Sequence, residues 1–243
     1  MKILGVIPAR FASTRFPGKP LIDIGGKTMI QRVYEQACKA TALSKVIIAT
    51  DDERIYNHAL AIGANVAMTS TLHQSGTDRC AEVAAQQTEV YDAVINIQGD
   101  EPFIHPEQIN ELAQCFANSA TQIATLVKKI NNTADLKSNT VMKVALTNSL
   151  QALYFSRNAI PYMRGAPIDE WLQHTTYYKH IGIYGFRTAT LQAVTALAPS
   201  TLELTESLEQ LRWLQNDYKI QVAITELESV SIDTPEDLLK IKF

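Results

Sequence analysis

The run ILGVIPARFASTRFPGK, residues 3–19, opens the chain with an apolar stretch and leads straight into a loop carrying three cations. Ile3 to Ile7 offers no polar side chain to a wet face, which predicts a strand buried on both sides, as in a parallel sheet. The next periodic segment supports this, because Met29, Ile30, Val33 and Ala37 fall on one face of a helix predicted over Thr28 to Ala40. The alternation continues outward. Strands are predicted at Lys45–Thr50, Asn65–Thr69 and Asp92–Ile97, with a short helix capped at Asp51 or Asp52 and another over Thr77–Gln87 between them. Pro106 opens a further helix at a favoured first-turn position.

Beyond about residue 120 the spacing changes. Gln122–Ile130, Met142–Thr147 and Gln151–Phe155 read as strands joined by hairpins or loops, and Tyr178–Phe186 and Ile220–Thr225 as two more. Residues 156–176 look irregular, Leu202–Gln215 reads as one helix, and Ser231-Ile232-Asp233-Thr234-Pro235 leads into a closing helix. The expected fold class is therefore α/β: an open, mostly parallel sheet flanked by helices, with a small mixed β sub-region inserted. No repeat or flexible linker interrupts the chain, so residues 1–243 are expected to form one domain, the inserted part lying at about 130–190.

Composition narrows the function. Of 243 residues, 46% are hydrophobic and 19% charged, enough to bury a substantial core, and the formal net charge of −3 argues against a chain-wide grip on nucleic acid or anionic membrane. No apolar run is long enough to span a bilayer, and Pro8 and Arg10 break the N-terminal stretch before it reads as a signal sequence. Cys38, Cys80 and Cys115 are odd in number and form no C-x-x-C pair, which predicts reduced thiols and a cytoplasmic protein.

Ligands of an open α/β sheet bind beyond the carboxyl ends of the strands, where residues 8–20 fall. This loop lacks both the G-x-G-x-x-G and the G-x-x-x-x-G-K-[ST] patterns. It has instead Arg10, Arg15 and Lys19 among small and hydroxylated residues, a donor set suited to a triphosphate and to a departing pyrophosphate. Gln98-Gly99-Asp100-Glu101-Pro102 follows another strand end, where an aspartate either holds Mg²⁺ or simply makes a turn. Asp233 before Thr234-Pro235 reads first as a helix cap.

The run IPARFASTRFPGKPL resembles the opening signature of the CMP-Kdo synthetases, cytidylyltransferases that activate 3-deoxy-D-manno-octulosonic acid (Kdo) for lipopolysaccharide assembly. The likeness extends in order through HQSGTDR, QGDEP, ALYFSRNAIP, HIGIY, LEQLR and SIDTPED, from Ile3 to about Leu239. It implies a nucleotide-diphospho-sugar transferase-like fold, CTP and Kdo as substrates, Mg²⁺ as cofactor and a homodimer. By the same resemblance Arg10, Ser13, Arg15, Lys19, Ser75, Gly76 and Gln98 would hold CTP, and Asp100 and Asp233 the metal. Arg157, His180, Tyr184, Glu209 and Gln210 would hold the sugar, and Arg10, Lys19, Asp100 and Asp233 would be catalytic. Within residues 138–143 the family's Pro-Asn-x-x-Lys gives way to Ser138-Asn139-Thr140-Val141-Met142-Lys143, so no role is carried to Lys143. Related acceptors (8-amino-Kdo, a sialic acid) remain open. A metal-dependent glycosyltransferase is the more distant reading, and the three-cation loop argues against it.

Overall fold

The first strand forms where its side chains have two apolar faces to fill. In the computed structural model, which describes residues 1–12, 16–228 and 231–238, β1 (Ile3–Ala9) is buried along nearly its whole length. Ile3 and Ile7 pack on one face of the sheet with α1 (Met29–Ala37), α2 (Glu53–Ala61) and Ile109 and Leu112 of α4 (Pro106–Gln114). Leu4 and Val6 point the other way, into a second core with Cys80 and Val83 of α3 (Gly76–Gln86). The period-two alternation of one apolar run thus feeds two helical layers.

β1 pairs in parallel with β2 (Lys45–Thr50) and β4 (Ala93–Asn96), and β2 with β3 (Val66–Met68). The remaining strands are β5 (Ile123–Lys129), β6 (Lys143–Leu146), β7 (Ala152–Ser156), β8 (Tyr178–Arg187) and β9 (Ile220–Ile224). The sheet order is β3-β2-β1-β4-β8-β5-β9, with β6 joined to both β8 and β7. β8 runs antiparallel to β4 and β5, while β9 is parallel to β5, so along this path β8 alone is reversed. The mostly parallel sheet expected from sequence is present, and β6 and β7 supply the mixed part.

Three differences from the sequence reading have physical causes. α5 (Thr133–Lys137) and α6 (Trp171–His174) were not expected; both contribute to a small core in which Leu136 and Trp171 join Ile130 and Tyr177. α7 (Thr188–Thr195) is rich in threonine, a weak helix former, and forms because Leu191 and Val194 pack into the second core. The helix expected over Leu202–Gln215 is broken into α8 (Thr201–Glu206) and α9 (Gln210–Gln215) at Ser207, whose φ is 53°. Arg157 meets this break: its Nε donates to the carbonyl of Glu206 at 2.7 Å and its Nη2 to that of Ser207 at 3.4 Å. Those carbonyls lack helical partners, and a cation stabilises a helix C-terminus. The chain closes with the short helix α10 (Pro235–Leu238).

Candidate active site

A cleft of about 490 Å³ opens beyond the carboxyl end of β4. Its walls bring together Gln98, Asp100 and Asp233 with His180, Tyr184 and Glu209, six residues that the sequence distributes over more than a hundred positions.

The floor depends on two close backbone approaches. A Cβ on Gly99 would stand 2.5 Å from the carbonyl oxygen of Pro8, so only glycine lets the 98–102 turn lie against the end of β1. Gly18 adopts φ +72° and donates its N–H to the carbonyl of Phe11, and the Arg54 guanidinium lies 3.3 Å over the Phe11 ring. The next residue, Lys19, turns its ammonium inward and donates to Asp100 Oδ2 at 2.9 Å and Asp233 Oδ1 at 3.3 Å. Asp100 and Asp233 come from distant segments joined by a backbone bond, the Ile232 N–H to the Asp100 carbonyl at 2.9 Å.

The cap role that local sequence suggests for Asp233 falls to another residue. The Asp237 carboxylate accepts the N–H groups of Asp233 and Thr234 at 3.1 and 3.0 Å, and the Asp233 carboxylate is turned to Lys19. Ser75, in contrast, does cap: its hydroxyl accepts the Asp78 N–H, and Asp78 accepts the Ser75 N–H in return. Gly76 lies against Pro8, and in the same first turn Thr77 donates its hydroxyl to Glu209 Oε2 at 2.8 Å. Glu209 sits at the start of α9, placed there by the break at Ser207, and burial raises its carboxyl above the ordinary carboxylate range.

Arg10 lies at the surface and donates to the carbonyl of Gln74 at 3.3 Å, linking the first loop to the loop before α3. Ser13 and Arg15 fall outside the described residues. His73 is held by Glu82 at 2.5 Å. Two residues expected at the sugar, Arg157 and Gln210, are not among the residues lining this cleft. The Arg157 guanidinium donates to the carbonyls of Asn139, Glu206 and Ser207. Gln210 is buried beneath the start of α9, also apart from the walls.

The wall around His180 holds residues whose contributions sequence reading missed. The Lys143 ammonium is fully enclosed and donates to the carbonyls of Ser138, Val141 and Arg157, fixing the loop that carries Thr140, Val141 and Met142 into the cleft. Thr125, also buried, meets His180 Nε2 at 2.9 Å. The His180 ring contacts Phe155 edge-on and lies 5.1 Å from Tyr184, which packs edge-on against Trp213. Burial depresses the imidazole from 6.5 to about 3. The unfolded chain therefore takes up a proton near pH 6.5 that the folded protein refuses until about pH 3. This group subtracts nothing above pH 6.5 and costs stability as the pH falls below it, by up to about 1.4 kcal/mol per pH unit. Urea titrations between pH 5 and 7 are expected to show a shallower acid loss for His180→Asn than for the parent; equal slopes would contradict the depressed imidazole.

The charged residues along the described walls of the cleft are mostly acidic. Among the described residues, Asp100, Glu101, Glu209, Glu228 and Asp233 line it, and the lysine among its walls, Lys179, is paired with Glu228 and Asp135.

A family model described as cytidylyltransferase matches residues 4–222. A 3-deoxy-manno-octulosonate cytidylyltransferase of Parabacteroides distasonis is 56% identical over 99% of this chain and 96% of its own. One of the same name from Geobacter metallireducens is 46% identical, again over 99% and 96%. A solved CMP:2-keto-3-deoxy-manno-octonic acid synthetase complexed with CTP superposes with a TM-score of 0.92 at 40% identity, over 99% of this chain and 96% of that one. A cytidylyltransferase from Leptospira borgpetersenii shares the fold at 17% identity and TM-score 0.63, over 98% of this chain and 83% of that one. With the acidic cleft at the carboxyl end of the sheet, these relations place the chain in the cytidylyltransferase family, among the 3-deoxy-manno-octulosonate cytidylyltransferases.

Proposed function

We propose that this cleft transfers CMP from CTP to the anomeric 2-hydroxyl of Kdo, giving CMP-Kdo and pyrophosphate. The observation that carries the reading is the convergence of Lys19, Asp100 and Asp233 at one point beneath the cleft. In an in-line displacement the 2-hydroxyl oxygen bonds to the α-phosphorus as the bond to the β-phosphate oxygen breaks. Charge develops on the departing pyrophosphate, and Lys19 and Arg10, with Arg15, are the cations of this chain suited to neutralise it.

The donor set also fits a hard divalent cation such as Mg²⁺. Two carboxylates already share one positive charge, and such an ion takes one or two carboxylates and completes its shell with water and phosphate oxygens. Five carboxylates among the described wall residues favour added positive charge when an anionic nucleotide and an acidic sugar enter together. Bound at Asp100 and Asp233, the ion would lower the pKa of the attacking hydroxyl and stabilise charge at the α-phosphate.

The same reading extends to lipopolysaccharide precursor synthesis in the cytoplasm by a homodimer. Leu153 on β7 and Tyr162 beyond it are 60% and 77% exposed, apolar surface on an edge that a second copy could cover.

The test is pyrophosphate release from CTP and Mg²⁺, with Kdo, 8-amino-Kdo and a sialic acid as separate acceptors. Release with Kdo is the expected result. Preference for another acid would change the sugar and keep the chemistry, and no release from folded, CTP-binding protein would overturn the reading.

A further inference from the structure

The pairing of β5 with β8 slips at one step: Thr125 pairs with Tyr184, whereas the next residue, Leu126, pairs with Ile181. Gly182 and Ile183 form the resulting bulge, a device common beside active sites because it re-aims neighbouring side chains. Thr125 sits opposite that bulge, and its hydroxyl donates to the Ile183 carbonyl at 2.7 Å. The Ile181 carbonyl stands farther off, at 3.4 Å. A hydroxyl has one proton, so toward His180 Nε2 at 2.9 Å the same oxygen acts as an acceptor. The imidazole must then carry its proton on Nε2, leaving Nδ1 a bare lone pair. That Nδ1 is buried and has no hydrogen-bond partner among the described residues. The neighbouring Tyr184 hydroxyl is also buried and unpartnered, and both residues line the cleft. Backbone geometry supports the fixed ring: the His180 N–H donates to the Met142 carbonyl, and the Phe155 edge contacts the ring.

We propose that Thr125 is a positioning residue that holds His180 as its Nε2–H tautomer, so that the bare Nδ1 accepts a hydrogen bond from a hydroxyl of the acceptor sugar. The inference rests on the proposed reading of the cleft and adds the rule by which one wall selects. A bare nitrogen lone pair attracts a hydroxyl proton and repels a carboxylate, so His180 reads the polyol part of the sugar acid and its carboxylate lies elsewhere.

The experiment uses the full chain labelled with ¹⁵N-histidine, its five histidines separated by two-bond ¹H–¹⁵N correlations and His180 assigned by loss of its signals in His180→Asn. Without substrate, at neutral pH, the parent is expected to show His180 as the neutral Nε2–H form. Thr125→Val should shift the ring toward Nδ1–H and raise KM for Kdo roughly tenfold. KM for CTP should move by less than about twofold, and kcat should change less than the Kdo KM. Thr125→Ser should restore both tautomer and KM, an outcome that a merely packing role for the threonine methyl would not give. An Nδ1–H or charged ring in the parent overturns the proposal, as does an unchanged Kdo KM in Thr125→Val. Failure of the parent to release pyrophosphate with any sugar acid would strike the functional reading instead, because the tautomer is read without substrate.

Discussion

Asp100→Ala is expected to lower kcat for pyrophosphate release by about three orders of magnitude, the loss of several kcal/mol of charge stabilisation at the reacting phosphate. The carboxylate lies at the cleft floor, 2.9 Å from the Lys19 ammonium, and that lysine also reaches Asp233. Folding should survive the change. The contact that ties the Asp100 segment to the C-terminal segment is made by the Asp100 carbonyl with the Ile232 N–H, which the substitution leaves in place. The removed carboxylate is partly exposed, so its loss leaves no deep cavity. The thermal midpoint should therefore move by only a few degrees while turnover collapses. Asp233→Ala should behave likewise, since Asp237 and not Asp233 caps the closing turn. Turnover of either variant within tenfold of the parent (a difference of about 1.4 kcal/mol) would remove that aspartate from the reacting centre.

Much of this site is legible in the sequence because its parts follow strand ends. QGDEP comes directly after β4, and the three-cation loop directly after β1, so the rule that ligands bind beyond carboxyl ends already brings them together. The first half of the fold is legible for a related reason: β1, β2 and β4 are buried on both faces, and Asp52 announces its helix as a cap. The second half is less so because its local structure is set from a distance. Nothing in Leu202–Gln215 marks Ser207 as a break; the Arg157 guanidinium, fifty residues earlier, meets the carbonyls exposed there. Thr125 was invisible for the same physical reason, its partner being a carbonyl displaced by a bulge.

Lys143→Met should destabilise the fold by about 3 kcal/mol, roughly 6–12 °C for a chain of this length. An ammonium has three protons, and Lys143 gives them to three carbonyls, those of Ser138, Val141 and Arg157. Desolvation lowers its pKa, opposed by the Glu206 carboxylate, which also accepts the Ser156 hydroxyl and the Arg157 N–H. Methionine keeps the length and most of the volume, so the loss measured is that of the donors, each stranded carbonyl costing on the order of 1 kcal/mol. Arginine should not rescue, because a planar fork cannot reproduce three donors diverging from one nitrogen in an enclosed space. The functional effect follows from where the clamp sits. Residues 140–142 form part of the cleft wall, and Met142 accepts the backbone N–H of His180, so a loosened loop should raise KM for the sugar more than KM for CTP. Urea unfolding reads the first effect and initial rates the second. A stability loss below about 1 kcal/mol would show that water replaces the ammonium at these carbonyls. The loop would then hold its place by packing alone, and no split between the two KM values should follow.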